Sequence, residues 1–182
     1  ELVSFISTHP HKLWPGRPAW YFDQNVYTGV FHDLACHGVD QIRWLAGCEF
    51  TGVHAVSARK REHPGPLDDH VQASFTLADG SGALVTADWL TPQESPSFGD
   101  TRFIIMGTKG SAHLRAYAAN HLLIVSDVIG TVEPSFDHIP ERPFVQEMIE
   151  ALEAGKEHFI STDDVFAVAK ACLTAQESAR QG

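Results

Sequence analysis

The feature that most restricts how this 182-residue chain can fold is a change of hydrophobic period, from helical to two-residue and back to helical. Val71, Ala73, Phe75 and Leu77 alternate with Gln72, Ser74 and Thr76; Asp79 to Gly82 reads as a turn; Ala83, Val85, Ala87 and Trp89 then alternate again. That is a hairpin with one buried face. Phe50 to Ala58 reads as a strand before it. Phe103 to Met106, the turn Gly107 to Gly110 and Ala112 to Ala116 write a second hairpin, with His121 to Ser126 as a further strand. Leu2 to Ile6 is a short opening strand, and Thr91 to Asp100 is an exposed loop between hairpins.

Helical spacing flanks this run. Over Val30 to Ala46, a turn of 100° per residue gathers Phe31, Leu34, Ala35, Gly38, Ile42, Leu45 and Ala46 on one side. Asp33, His37, Asp40 and Trp44 gather on nearly the opposite side, and Gly47 suits the helix end. In the tail, Pro143 opens a helix whose stripe is Phe144, Val145, Met148, Ile149 and Leu152, with Gly155 after its end. Ser161 and Asp164 form a capping-box pattern before Val165, Phe166, Ala169, Cys172 and Leu173. Strands run together with helices at the ends predict an α+β fold, a mostly antiparallel open sheet with helices on one face. Its other face would carry few charges (Gln72, Ser74, Thr76, Leu84 and Thr86), which predicts a homo-oligomer interface.

With 43% apolar and 20% charged residues the composition is globular, and the length suits one domain. The net charge of -10 repels phosphate backbones and anionic lipid, so no nucleic-acid or membrane partner is expected. No apolar run approaches the ~20 residues needed to cross a bilayer. Three cysteines without a CxxC pair fit a reducing, cytoplasmic setting. The strand-like segment next to Glu1, with no leader before it, reads as part of a longer chain.

Asp33 and His37, four apart on a helix, form a pair able to move a proton, because a carboxylate fixes the tautomer and raises the basicity of an imidazole. An ordinary exposed pair has the same spacing. His32, Asp33, Cys36 and His37 invite a metal reading, but residues 32 and 33 point 100° apart and no second cluster supplies further ligands, so no metal is expected. His9, His11, His63 and His70 read as loop and strand-end residues, and the cysteines as inert core thiols. The loop from Trp14 to Phe22 holds Arg17 and Trp20, and its prolines predict irregular structure. Arg17 and Trp20 are placed to fold over the polar helix stripe, with Trp89 completing an aromatic wall; the two indoles would equally suit the core. Neither GxGxxG nor GxxxxGK[ST] occurs, so no cofactor-binding residue is assigned.

The run Thr28-Gly29-Val30-Phe31-His32-Asp33-Leu34-Ala35-Cys36-His37-Gly38-Val39-Asp40, followed by Trp44-Leu45-Ala46-Gly47, carries DxxxH, HxxD and WLxG patterns. With Ala87 to Pro92, Gly99 to Gly110 and the closing Ala175 to Ala179, it resembles the C-terminal domain of the glucose-fructose oxidoreductase and inositol dehydrogenase family (Gfo/Idh/MocA). The resemblance implies a two-domain NAD- or NADP-dependent oxidoreductase of a sugar, cyclitol or related polyol. The cofactor would be bound mainly by an N-terminal Rossmann domain, and this domain would supply substrate pocket and oligomer contacts. It gives Asp33 and His37 catalytic roles beside a lysine of the other domain, makes Asp40 structural, and makes this chain inert alone. The family's paired glycines are reduced here to Gly29. An NAD-dependent glycosidase on the same scaffold and a non-enzymatic binding or dimerisation module are the alternatives.

Overall fold

The computed structural model describes residues 1–13, 16–65, 67–137 and 143–182. Eight strands form one sheet: β1 (Leu2–Pro10), β2 (Phe50–Ala58), β3 (His70–Leu77), β4 (Gly82–Asp88), β5 (Thr101–Gly107), β6 (Gly110–Ala116), β7 (His121–Ser126) and β8 (Gly130–Val132). Their order is β2-β3-β4-β1-β5-β6-β7-β8. Every neighbour pair is antiparallel except β1 with β4, which run parallel with Phe5 beside Ala83 and His9 beside Ala87. The chain thus forms the expected α+β sheet, with the opening strand at its centre and longer than the apolar run alone indicated.

Helix α1 (Cys36–Ala46) is preceded by a wide turn over Phe31–Ala35, in which the Cys36 N–H donates to the Phe31 carbonyl five residues back. Gly29 enters this turn with φ of 98°, a left-handed conformation that requires glycine, and Gly47 closes α1 the same way. Helix α2 spans Phe144–Glu153 and α3 spans Thr162–Gln181. The Ser161 hydroxyl accepts from the Asp164 N–H, and the Asp164 carboxylate accepts from the Ser161 N–H, so the capping box forms with Asp in the usual Glu position.

The core lies between α1, α3 and the β1 to β4 half of the sheet. Phe5, Ala73, Phe75, Val85 and Ala87 are covered by Phe31, Leu34, Val39 and Ile42 and by Val168, Cys172 and Ala175. Several positions differ from the helical-wheel reading. Leu45 is exposed, as are Val165, Phe166 and Leu173, because α3 presents Val168, Cys172 and Ala175 to the sheet instead. The α2 stripe of Phe144, Val145, Met148, Ile149 and Leu152 is exposed too. Ala19–Phe22 forms a short 3-10 turn after Pro18, where an irregular loop was expected; Trp14 and Pro15 lie outside the described residues.

Two contacts fix where α1 sits. A Cβ on Gly38 would fall on the Ser7 hydroxyl, so the absent side chain lets the helix backbone descend onto β1. At its far end the Arg43 guanidinium bonds Glu49 at 2.6 Å and also pairs with Asp164, tying α1 to the start of α3. The Arg43 bond, together with those from the Ser161 N–H and hydroxyl, holds Asp164 down at about 2, well below the ordinary carboxylate value.

Candidate active-site cleft

Because β1 and β4 run parallel, the residues that follow them emerge side by side: the His11 N–H donates to the Asp88 carbonyl at 2.8 Å, and Trp89 comes next on the other strand. The wide turn before α1 passes over this end of the sheet. Together they enclose an open cleft of about 460 Å³ lined by His11, Arg17, Asp33, His37, Trp89 and Phe98, with Leu34 and the Gly16 and Pro18 backbone completing it.

Asp33 and His37 share the cleft, but no hydrogen bond joins them among the described residues. Asp33 instead accepts from the Tyr27 hydroxyl at 2.9 Å and the Tyr21 hydroxyl at 3.4 Å. Trp89 Nε1 in turn donates to the Tyr27 oxygen at 3.3 Å, so a chain of donors orients the carboxylate. Burial, and then the charge of Asp33, push the Tyr27 phenol far above its ordinary value, which keeps it a donor. The cause of this arrangement is the wide turn, which departs from 100° per residue where Asp33 sits.

His37 is exposed at the cleft mouth and stacks on His9, ring centroids 5.1 Å apart at 27°. His9 is buried on β1, two residues beyond Ser7, so the close approach at Gly38 also brings the two imidazoles together. Burial, then His11 and His37, lower His9 to about 4, so it is neutral near pH 7. The Thr101 hydroxyl lies 3.3 Å from His9 Nδ1. His11 stands 4.6 Å from His9, lowered by burial and by Arg17.

Arg17 is held in a corner made by two aromatic faces, with its guanidinium carbon 4.3 Å from the Tyr21 ring centre and 4.2 Å from the Trp89 ring. Trp89 therefore serves both readings, packed in the core and walling the cleft. Trp20 does not line the cleft; it is 48% exposed and stacks on the outer side of Tyr21 at 4.3 Å. Sequence reasoning missed Tyr21, Tyr27, His9 and His11. The one available signal was alternation: Phe5, Ser7, His9 and His11 continue a single buried face, which places both imidazoles inward rather than in a loop.

Among the described residues no group of three or more His, Cys, Asp or Glu side chains is placed to hold a metal ion. Cys172 is pushed up to about 12 by burial and Cys36 is raised as well, so both behave as core thiols. Among the described residues, no helix is long and apolar enough to cross a membrane.

The sequence profile of the GFO/IDH/MocA C-terminal domain matches residues 1–113. This chain belongs to that family. No curated protein sequence matches it. Among solved structures it superimposes on a Thermotoga maritima protein assigned to the oxidoreductases, with a TM-score of 0.89 at 23% identity over 99% of this chain and 53% of that one. A levoglucosan dehydrogenase in complex with NADH gives 0.83 at 19% identity over 100% and 57%. A UDP-N-acetylglucosamine 3-dehydrogenase from Acidithiobacillus ferrooxidans gives 0.75 at 18% over 97% and 53%. The chain thus spans a little over half the length of these proteins.

Proposed function

We propose that this family member is the substrate-binding part of a nicotinamide-dependent sugar or polyol oxidoreductase, with Asp33 and His37 at its reacting end. The observation that carries this reading is the cleft itself. It gathers an oriented carboxylate, an exposed imidazole, a cation and an indole within one open volume of about 460 Å³. Hydroxyl groups need such donors and acceptors, and the C–H face of a sugar ring packs on an aromatic wall. The dehydrogenases of levoglucosan and UDP-N-acetylglucosamine that share this fold support the substrate class.

NAD or NADP supplies the hydride acceptor in this reading. No glycine-rich turn from strand to helix occurs among the described residues, so no residue of this chain is assigned to hold the dinucleotide. That task falls to a Rossmann domain elsewhere in a longer polypeptide, without which this domain is inert. The chain's own contribution is to bind and orient the substrate. His37 takes up or returns the hydroxyl proton, while Asp33, fixed by Tyr27, holds that hydroxyl in place. Arg17 and Trp89 bind the substrate, and Trp20 acts only by supporting Tyr21.

In the full-length polypeptide, His37→Ala should lower kcat roughly 10²- to 10⁴-fold and leave cofactor affinity unchanged. Wild-type turnover of the polyol by that variant from pH 6 to 9 would overturn the site and leave a binding module. The uncovered sheet face, where Leu84, Ile6 and Ile104 lie across neighbouring strands and the row continues through His113 to Leu123, supports the homo-oligomer reading. A strict monomer in sedimentation at high micromolar concentration would overturn that part.

A further inference from the structure

The cleft holds a cation that is not matched by a carboxylate of its own. Arg17 Nε and His11 Nε2 are both buried without a hydrogen-bond partner. No carboxylate pairs with Arg17 among the described residues. The carboxylate that lines the cleft, Asp33, already accepts from both Tyr21 and Tyr27. Arg17 and His11 both line the cleft, so a guanidinium that no carboxylate neutralises stands there beside an imidazole. The guanidinium is also held in place beforehand, in the corner of two rings that stand at 85° to each other, so little side-chain freedom is lost on binding.

A sugar hydroxyl is a poor match for this cluster. It can accept from one or two of these donors, but it is neutral and leaves the charge of the guanidinium uncompensated. A carboxylate or phosphate presents several acceptor oxygens and no donor when ionised, which suits a guanidinium and a neighbouring imidazole in its Nε2–H form. The cation is placed here although the chain as a whole carries a charge of -10, which disfavours anions over the general surface.

We infer that the cleft is built for an anionic sugar derivative, whose oxyanion is held by Arg17 and His11 while its hydroxyls face Asp33 and His37. The inference rests on the sugar or polyol reading above and narrows it.

Titration of the 182-residue chain with D-glucose, D-glucuronate and glucose 6-phosphate, followed by tryptophan fluorescence, tests it. At least one of the two anions should bind roughly tenfold or more tightly than glucose, with an advantage that falls as salt is added. Whichever anion binds more tightly identifies the oxyanion as carboxylate or phosphate. The advantage should vanish in Arg17→Gln, shrink in His11→Asn and persist in Arg102→Gln, a change at an exposed arginine on β5. Arg17→Lys, which keeps the charge but loses the fork, should retain part of it. Equal binding of all three sugars, or an advantage that survives Arg17→Gln, would overturn the inference while leaving the polyol reading in place. Binding of none of them would overturn both.

Discussion

The two halves of the sheet are built from similar strands but are covered differently. In β1 to β4 the inward positions are sealed: Phe5, Ala73, Val85 and Ala87 are almost fully buried under α1 and α3. In β5 to β8 the same face holds Phe103, which is buried, but Ile105, Leu114 and Ile124 are only partly covered. Alternation is clean in β3 and β4, whereas Phe103 to Met106 and Leu122 to Val125 are continuous apolar runs, and neither pattern tells what lies on a face. The cleft stands on the boundary between the halves, with His11 and Trp89 from the covered side and Phe98, just before β5, from the other. Its floor inherits the rigidity of the first half and its mouth the openness of the second.

The largest test of this contrast is Phe5→Ala. Phe5 sits on the central strand, 6.3 Å from Phe103, and should cost about 3–5 kcal/mol in urea unfolding. A loss below about 1 kcal/mol would mean that the boundary is not packed as described. Gly38→Ala should cost about 1–3 kcal/mol by pushing α1 off Ser7, and should also weaken the His37–His9 stack, visible as a change in the imidazole NMR signals.

A smaller effect concerns His9. Its folded value of about 4 lies below the ordinary 6.5, so the unfolded chain binds the extra proton first as the pH falls. Its contribution to stability is intact above 6.5 and is lost progressively between 6.5 and about 4, and His9→Gln should flatten stability over that window. The smallest effect belongs to the open face of the second half: Val125→Thr on β7 should stay within about 0.5 kcal/mol in dilute solution. A larger loss that grows with protein concentration would instead report burial of that face between copies.

The strands β1 to β7, their hairpins, α1 and the capped start of α3 were legible, because turn residues, alternation and caps act between near neighbours in the chain; the three-residue edge strand β8 was too short to show a pattern. Asp33, His37, Arg17 and Trp89 were legible as candidates for the same reason. The apolar stripe of α2 illustrates the limit. Its spacing is helical as expected, yet among the described residues Phe144 makes ring contacts only with His158 and Phe159, at 4.9 and 5.9 Å, and the stripe remains exposed. A stripe declares that a face is apolar and says nothing of what covers it.

By itself the sequence determined the order of the helices and of β1 to β7, the antiparallel hairpins, the glycines that turn α1 in and out, and the residue types available for chemistry. Only the tertiary structure decided that β1 runs parallel to β4, that His9 stacks behind His37, and that Asp33 bonds Tyr27 and Tyr21 rather than the imidazole four residues away. The physical reason is sequence distance. Period and capping are settled within a few residues, whereas β1 meets β4 across some eighty residues and His9 meets His37 across twenty-eight, the second through a backbone approach at Gly38 that no local pattern encodes.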